Sequence, residues 1–272
     1  MSFSKRVDQA REAFAKKDKA ASAQAHTPEA ITHAMHHHDE DHGGAGSQYL
    51  GDLVYGGLDG IITTFAVVSG VAGAELGSGI ILILGLANLF ADGFSMATGA
   101  FLSAKAESEY YAKEHEREAW EVEHFPEGEK AELRGIYLEQ GYSEAEANQL
   151  VEIKTKTRER WVEAMMVDEL GMLKDEGNPL HKALATLLAF VVAGSVPLLV
   201  YLLGLLIEIP AGVAFPISLT LSALALFGLG AAKVAVTHQN PWRSGLEMML
   251  TGGLAAVVAY AVGALLKGLG GG

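Results

Sequence analysis

A chain of 272 residues that is 50% hydrophobic, with its apolar residues gathered in blocks, is too apolar for an ordinary soluble domain. Its formal net charge of −13 disfavours nucleic acid, which calls for a basic surface, and suits a cationic ligand. With no cysteine there is neither a disulfide framework nor a thiolate site, so a metal would be held by carboxylate, imidazole, thioether or water, donors that favour hard or borderline cations.

The chain begins with "MSFSKRVDQAREAFAKKDKAA", which lacks the apolar core of a secretory signal and reads as a polar, helix-prone tail. "HAMHHHDEDH" over 33–42 follows, able to collect metal weakly or simply to stay solvated, and "GGAGS" closes the tail, 1–48, as a flexible linker. Crossing a bilayer takes roughly 20 mostly apolar residues. Five segments qualify, at 53–74, 79–103, 182–207, 212–236 and 245–266. The chain therefore divides into the tail, two spans within 49–103, an inserted segment at 104–180 and three spans within 181–267. The connections "GAELGSG" and "EIPAG" carry no Lys or Arg, whereas the tail, the insert and "KVAVTHQNPWR" do. The positive-inside bias thus places the N-terminus and insert in the cytoplasm, with Lys267 alone on the wrong side.

Between Lys105 and Glu176 there are 20 Asp and Glu against 10 Lys and Arg, so most of the excess acid lies in the insert. Three helices are expected there: 104–124 continuing straight from the second span, Glu127 to Gln140 closed by Gly141, and a third N-capped by Ser143 with Glu146 at the capping-box position, running to Leu173. The predicted fold is an all-α membrane protein, with five transmembrane helices per subunit and a three-helix cytoplasmic domain between spans two and three.

Two sets of residues carry chemistry. Within the spans, Asp52 and Asp59 are seven apart on roughly one helical face, and Asp92 and Met96 are four apart on another. Ionisable groups at membrane depth are costly and mark a pathway or a bundle interior. A carboxylate with a thioether would suit a borderline divalent cation, and carboxylate alone Mg²⁺, Ca²⁺ or Mn²⁺. In the insert, Glu118/Glu121 and Glu129/Glu132 each stand three apart, so that each pair points one way and can share a cation. The third helix adds Glu163, Met165, Met166 and Glu169. Di-iron bundles are built from inward carboxylates of this kind, but a solvated acidic helix produces the same spacing, and spacing alone leaves the two readings even.

The blocks "GDLVYGGLDGIITTFAVVSGVAGA", "SMATGAFLSAKAESEYY", "WVEAMMVDELGM" and "GLGAAKVAVTHQNPWRSGLEMMLTGGLAAVVAYAVG" resemble the vacuolar iron transporter family, which includes nodulin-like and yeast vacuolar iron/manganese carriers. The resemblance runs over about 49–267 and to a bacterial-type member that carries the cytoplasmic metal-binding domain. It implies a homodimer that moves Fe²⁺, and in some members Mn²⁺, out of the cytosol in exchange for protons, and no enzyme. It implies that Asp59 and Met96 are pathway ligands, that Asp52 lies at the cytoplasmic mouth, and that Glu118, Glu121, Glu129, Glu132, Glu163 and Glu169 belong to the metal-binding domain. One further family glutamate falls at Met166, leaving that cluster a carboxylate short, and "GAFLS" stands where a Gly-Glu pair is more usual. Expected partners are metal ions, protons, the lipid bilayer and a second copy of the chain. Metal is the transported and regulatory ligand, no prosthetic group is expected, and a bacterial plasma membrane would suit the sequence. The competing readings are a Mn²⁺ or Ca²⁺ carrier of the same fold and a membrane-anchored di-iron oxidase or iron-storage module. The last is weakened because a Glu-x-x-His pair occurs only at Glu121 and His124.

Overall fold

The computed structural model describes residues 5–30, 49–175, 177–237 and 240–267, and among these every regular element is helical. The histidine-rich run at 33–42 lies outside the described residues. In chain order the helices are α1 (Lys5–Lys16), α2 (Lys19–Ala25), α3 (Leu50–Gly73), α4 (Ser78–His124), α5 (Pro126–Glu139), α6 (Glu144–Lys154), α7 (Arg158–Ala164), α8 (Pro179–Gly194), α9 (Leu199–Leu203), α10 (Ala211–Thr237) and α11 (Pro241–Leu266). A π turn, Met165–Glu169, extends α7, and a 3₁₀ turn, Val196–Leu198, joins α8 to α9. The chain divides into two compact units, Met1–Ala97 with His181–Gly272, and Thr98–Leu180.

In the first unit α1 and α2 pack on each other, with Asp18 capping α2 by accepting from the Ala20 and Ala21 amides at 2.9 and 3.0 Å. The unit also holds the helices long and apolar enough to cross a membrane: α3, the first part of α4, α8 with α9, α10 and α11. α3 packs on α10 and α11, which pack on each other. Between apolar helices in lipid, association comes from close packing rather than from excluding water, so small residues line the contacts. A Cβ on Gly60 would collide with the Phe190 carbonyl, and one on Gly263 with the Gly70 carbonyl. Many large side chains point outward, with Phe94, Leu188, Val192 and Leu254 all more than half exposed, while Phe65 and Phe190 fill the interior.

The third span is interrupted at Pro197. Pro197 has no amide to donate, so the helix passes through the 3₁₀ turn, and the buried Ser218 hydroxyl of α10 donates to the Pro197 carbonyl at 2.6 Å. Lys267, the exception to the charge bias, has a partner: its ammonium lies 2.5 Å from the Glu75 carboxylate.

The second unit builds its own core from Ala119 and Val122 of α4, Leu133 and Tyr137 of α5, Ala147 and Val151 of α6, Trp161 and Val162 of α7, and Met165 and Met166. Gly141, at φ +97°, ends α5 in a conformation open to glycine, the Tyr142 amide donating back to the Tyr137 carbonyl at 3.1 Å. Ser143 and Glu146 form a reciprocal capping box at the start of α6. The helix expected to run from there to Leu173 is broken. The Thr155 hydroxyl turns back onto the Val151 carbonyl at 2.8 Å, and Thr157 caps a new helix by accepting from the Arg160 amide at 3.4 Å.

Candidate metal centre

The break between helices at Phe125 sets up the site. Proline at the first helical position, where an amide has no partner to lose, starts α5 and places Glu129 in its first turn, soon after Glu118 on α4. The third participant comes from the π turn, closed by the Leu170 amide donating to the Met165 carbonyl at 3.1 Å. Asp168 fixes this turn, accepting from the Tyr137 hydroxyl at 2.8 Å and pairing with Lys154 at 3.5 Å. Wide turns of this type often occur at functional positions, and here the next residue, Glu169, joins Glu118 and Glu129. One carboxylate oxygen from each lies within 4.8 Å of the others.

Glu118 is fully buried and Glu129 is 6% exposed. Both Glu118 oxygens and Glu129 Oε2 are buried without a hydrogen-bond donor, although Arg117 Nη2 lies 2.5 Å from Glu118 Oε1 as an ion pair. Burying carboxylates without donors is costly, and the cost falls on their ionised form. Burial first, and then the charge of Glu169, push the Glu118 carboxyl up to about 7, against the opposing charge of Arg117. Burial, followed by the charges of Glu118, Glu132, Glu121 and Glu169, likewise raises Glu129 to about 7. Glu169 is raised too, by burial and then Glu132, again with Arg117 opposing. Three converging oxygen donors, two of them buried and short of hydrogen-bond donors, fit a hard or borderline divalent cation.

The remaining candidates separate. Glu121 and Glu132 act on Glu129 through their charge, Glu121 being half-buried and bound by Arg117 and Glu132 being exposed. Glu163 is exposed and lines a separate groove with Ile153, Lys154, Arg160 and Val167. Met165 and Met166 are fully buried in the apolar core of this unit. His124, the only histidine in a Glu-x-x-His pair, is exposed and stacks on Trp120, with 4.4 Å between ring centres. In the first unit, Asp52 and Asp59 lie on α3 and Met96 on α4, all three half-buried. Asp92 is the charged neighbour of Asp59, the Thr63 hydroxyl donates to the Asp59 backbone carbonyl at 2.8 Å, and Met96 packs against the core of that unit.

Two participants were not singled out from the sequence. Arg117 binds Glu114, Glu118 and Glu121. The available signal was the placement of acids at three before, one after and four after a single arginine.

A family model described as the VIT family matches residues 50–264. This chain belongs to the VIT family. Its curated relatives include the vacuolar iron transporter of Toxoplasma gondii, 40% identical over 96% of this chain and 88% of that protein. The vacuolar iron transporter of Plasmodium falciparum is 33% identical over 97% of both chains. Vacuolar iron transporter 1 of Arabidopsis thaliana is 34% identical over 86% and 92%. With five apolar helices of spanning length among the described residues, this VIT member is an integral membrane protein, of a family named for transport and not for catalysis.

Proposed function

We propose that this protein transports Fe²⁺, with Mn²⁺ as a secondary ion, out of the cytosol in exchange for protons, as a homodimer. The convergence of the buried Glu118 and Glu129 with the exposed Glu169, one oxygen from each within 4.8 Å of the others, is the observation that carries the reading. It supplies oxygen donors for iron, the metal in the relatives' names. The Lys/Arg bias puts these acids on the cytosolic side, where they gather metal. Asp52 receives the ion at the mouth, and Asp59 with Met96 hold it within the membrane, Met96 favouring Fe²⁺ over harder ions through its thioether. Glu121 and Glu132 add charge to the intake cluster. Coupling follows from desolvation: a carboxylate at membrane depth that releases a cation takes up a proton, because a bare charge there is too costly.

Fe²⁺ uptake by proteoliposomes, with and without an imposed pH gradient, tests the exchange. Uptake should rise when the compartment receiving iron is acidic, and indifference to the gradient would sink the coupling. Met96→Leu should lower the preference for Fe²⁺ over Ca²⁺ in a competition assay, whereas an unchanged preference would favour a carrier built on carboxylates alone.

A further inference from the structure

Arg117 places a permanent positive charge inside the acid cluster. Its Nε donates to Glu114 Oε2 at 2.9 Å, its Nη2 lies 2.5 Å from Glu118 Oε1, and its Nη1 donates to Glu121 Oε2. One guanidinium therefore holds Glu118 of the converging set, Glu121, whose charge acts on that set, and Glu114, which lies outside it. A guanidinium never ligates a metal and keeps its charge at any ordinary pH, so it competes with an incoming cation for the same oxygens.

We propose that Arg117 is a resident counter-cation that the captured metal displaces, with Glu114 retaining the guanidinium once the metal takes Glu118 and draws the charge of Glu121. The inference rests on the reading of the acid cluster as a metal site. The geometry allows such an exchange. The Glu118 side chain is 1% exposed, whereas that of Arg117 is 41% exposed and has a solvent side on which to move. The bond to Glu114 lies within one helix at three-residue spacing, so it persists without the other two. The exchange also selects by charge. Replacing the guanidinium with a monovalent ion gains nothing electrostatically, whereas a divalent ion adds one unit of attraction to the surrounding acids. Arg117 thus sets the threshold for capture and excludes K⁺ and Na⁺, which outnumber any transition metal in a cell.

The test is Mn²⁺ binding to the full chain in detergent, followed by the electron paramagnetic resonance signal of the free ion. Measurement at about pH 8 keeps the carboxylates ionised in every variant. Arg117→Gln should bind Mn²⁺ about tenfold more tightly than wild type and become sensitive to competition by K⁺. Arg117→Lys, which keeps the charge, should stay nearer wild type on both counts. Glu114→Gln, which leaves the cluster intact but removes the alternative partner, should weaken binding several-fold. Equal or weaker binding by a natively helical Arg117→Gln, or an unchanged Glu114→Gln, overturns the displacement. If Arg117→Gln does not fold, the Glu114→Gln and Arg117→Lys results decide. Failure of wild type to bind Mn²⁺ overturns the metal-site reading beneath it instead.

Discussion

Glu118 and Glu129 are each raised from an ordinary 4.5 to about 7, chiefly by burial, and the sign of this shift matters. The folded protein holds protons on these groups that the unfolded chain has already released, so folding is favoured at low pH and loses that advantage as pH rises through the window from 4.5 to about 7. Metal reverses the trend, because a cation stabilises the ionised carboxylates that pH alone leaves opposed. Thermal unfolding of the metal-free chain should therefore shift downward between about pH 5 and about pH 7.5. The stabilisation given by saturating Mn²⁺ should be greatest at the upper end. Differential scanning fluorimetry across that range, with Glu118→Gln and Glu129→Gln as controls that flatten the slope, checks this. A metal-free melting temperature that climbs over the same window would show that these carboxyls are not held protonated by the fold.

At the scale of elements, the close approach of α3 to α11 depends on glycine. A methyl at Gly263 would meet the Gly70 carbonyl, while a methyl at Gly253, on the same helix, meets nothing within 4 Å. Gly263→Ala should cost about 1–3 kcal/mol by forcing the backbones apart, whereas Gly253→Ala should leave the melting temperature of the detergent-solubilised protein unchanged. Equal effects would mean that the α3–α11 contact tolerates the methyl. Such contacts were only partly legible in the sequence. The spans were readable because uncharged apolar blocks have few alternatives, and Gly141 and the Ser143–Glu146 box were readable because caps are local chemistry. The break at Thr155–Thr157 and the π turn were not, since both depend on how hydroxyls and Asp168 are satisfied within the folded unit. Glu163 accordingly lines another groove, while Glu169 joins Glu118 and Glu129.

For the whole molecule, the proposed function divides labour between two groups of residues that differ in chemistry. The acid cluster is rich in oxygen donors and carries an internal counter-cation, features suited to concentrating a scarce ion. The membrane set, Asp59 and Met96, has few donors and little charge, as suits an ion that must leave again. The two sets should then control different kinetic parameters. Glu118→Gln combined with Glu129→Gln should raise the Fe²⁺ concentration for half-maximal uptake by about tenfold, roughly what losing two charges from an oxygen site implies, and leave the maximal rate within about twofold. Asp59→Asn should abolish the rate at every concentration while Mn²⁺ still binds to the solubilised protein. Proteoliposome uptake across a range of free Fe²⁺, paired with the binding measurement on the same preparations, separates the two effects. If neutralising the cluster lowers the maximal rate as far as Asp59→Asn does, the glutamates lie on the obligatory path itself, and an intake cluster that merely raises the local metal concentration is ruled out.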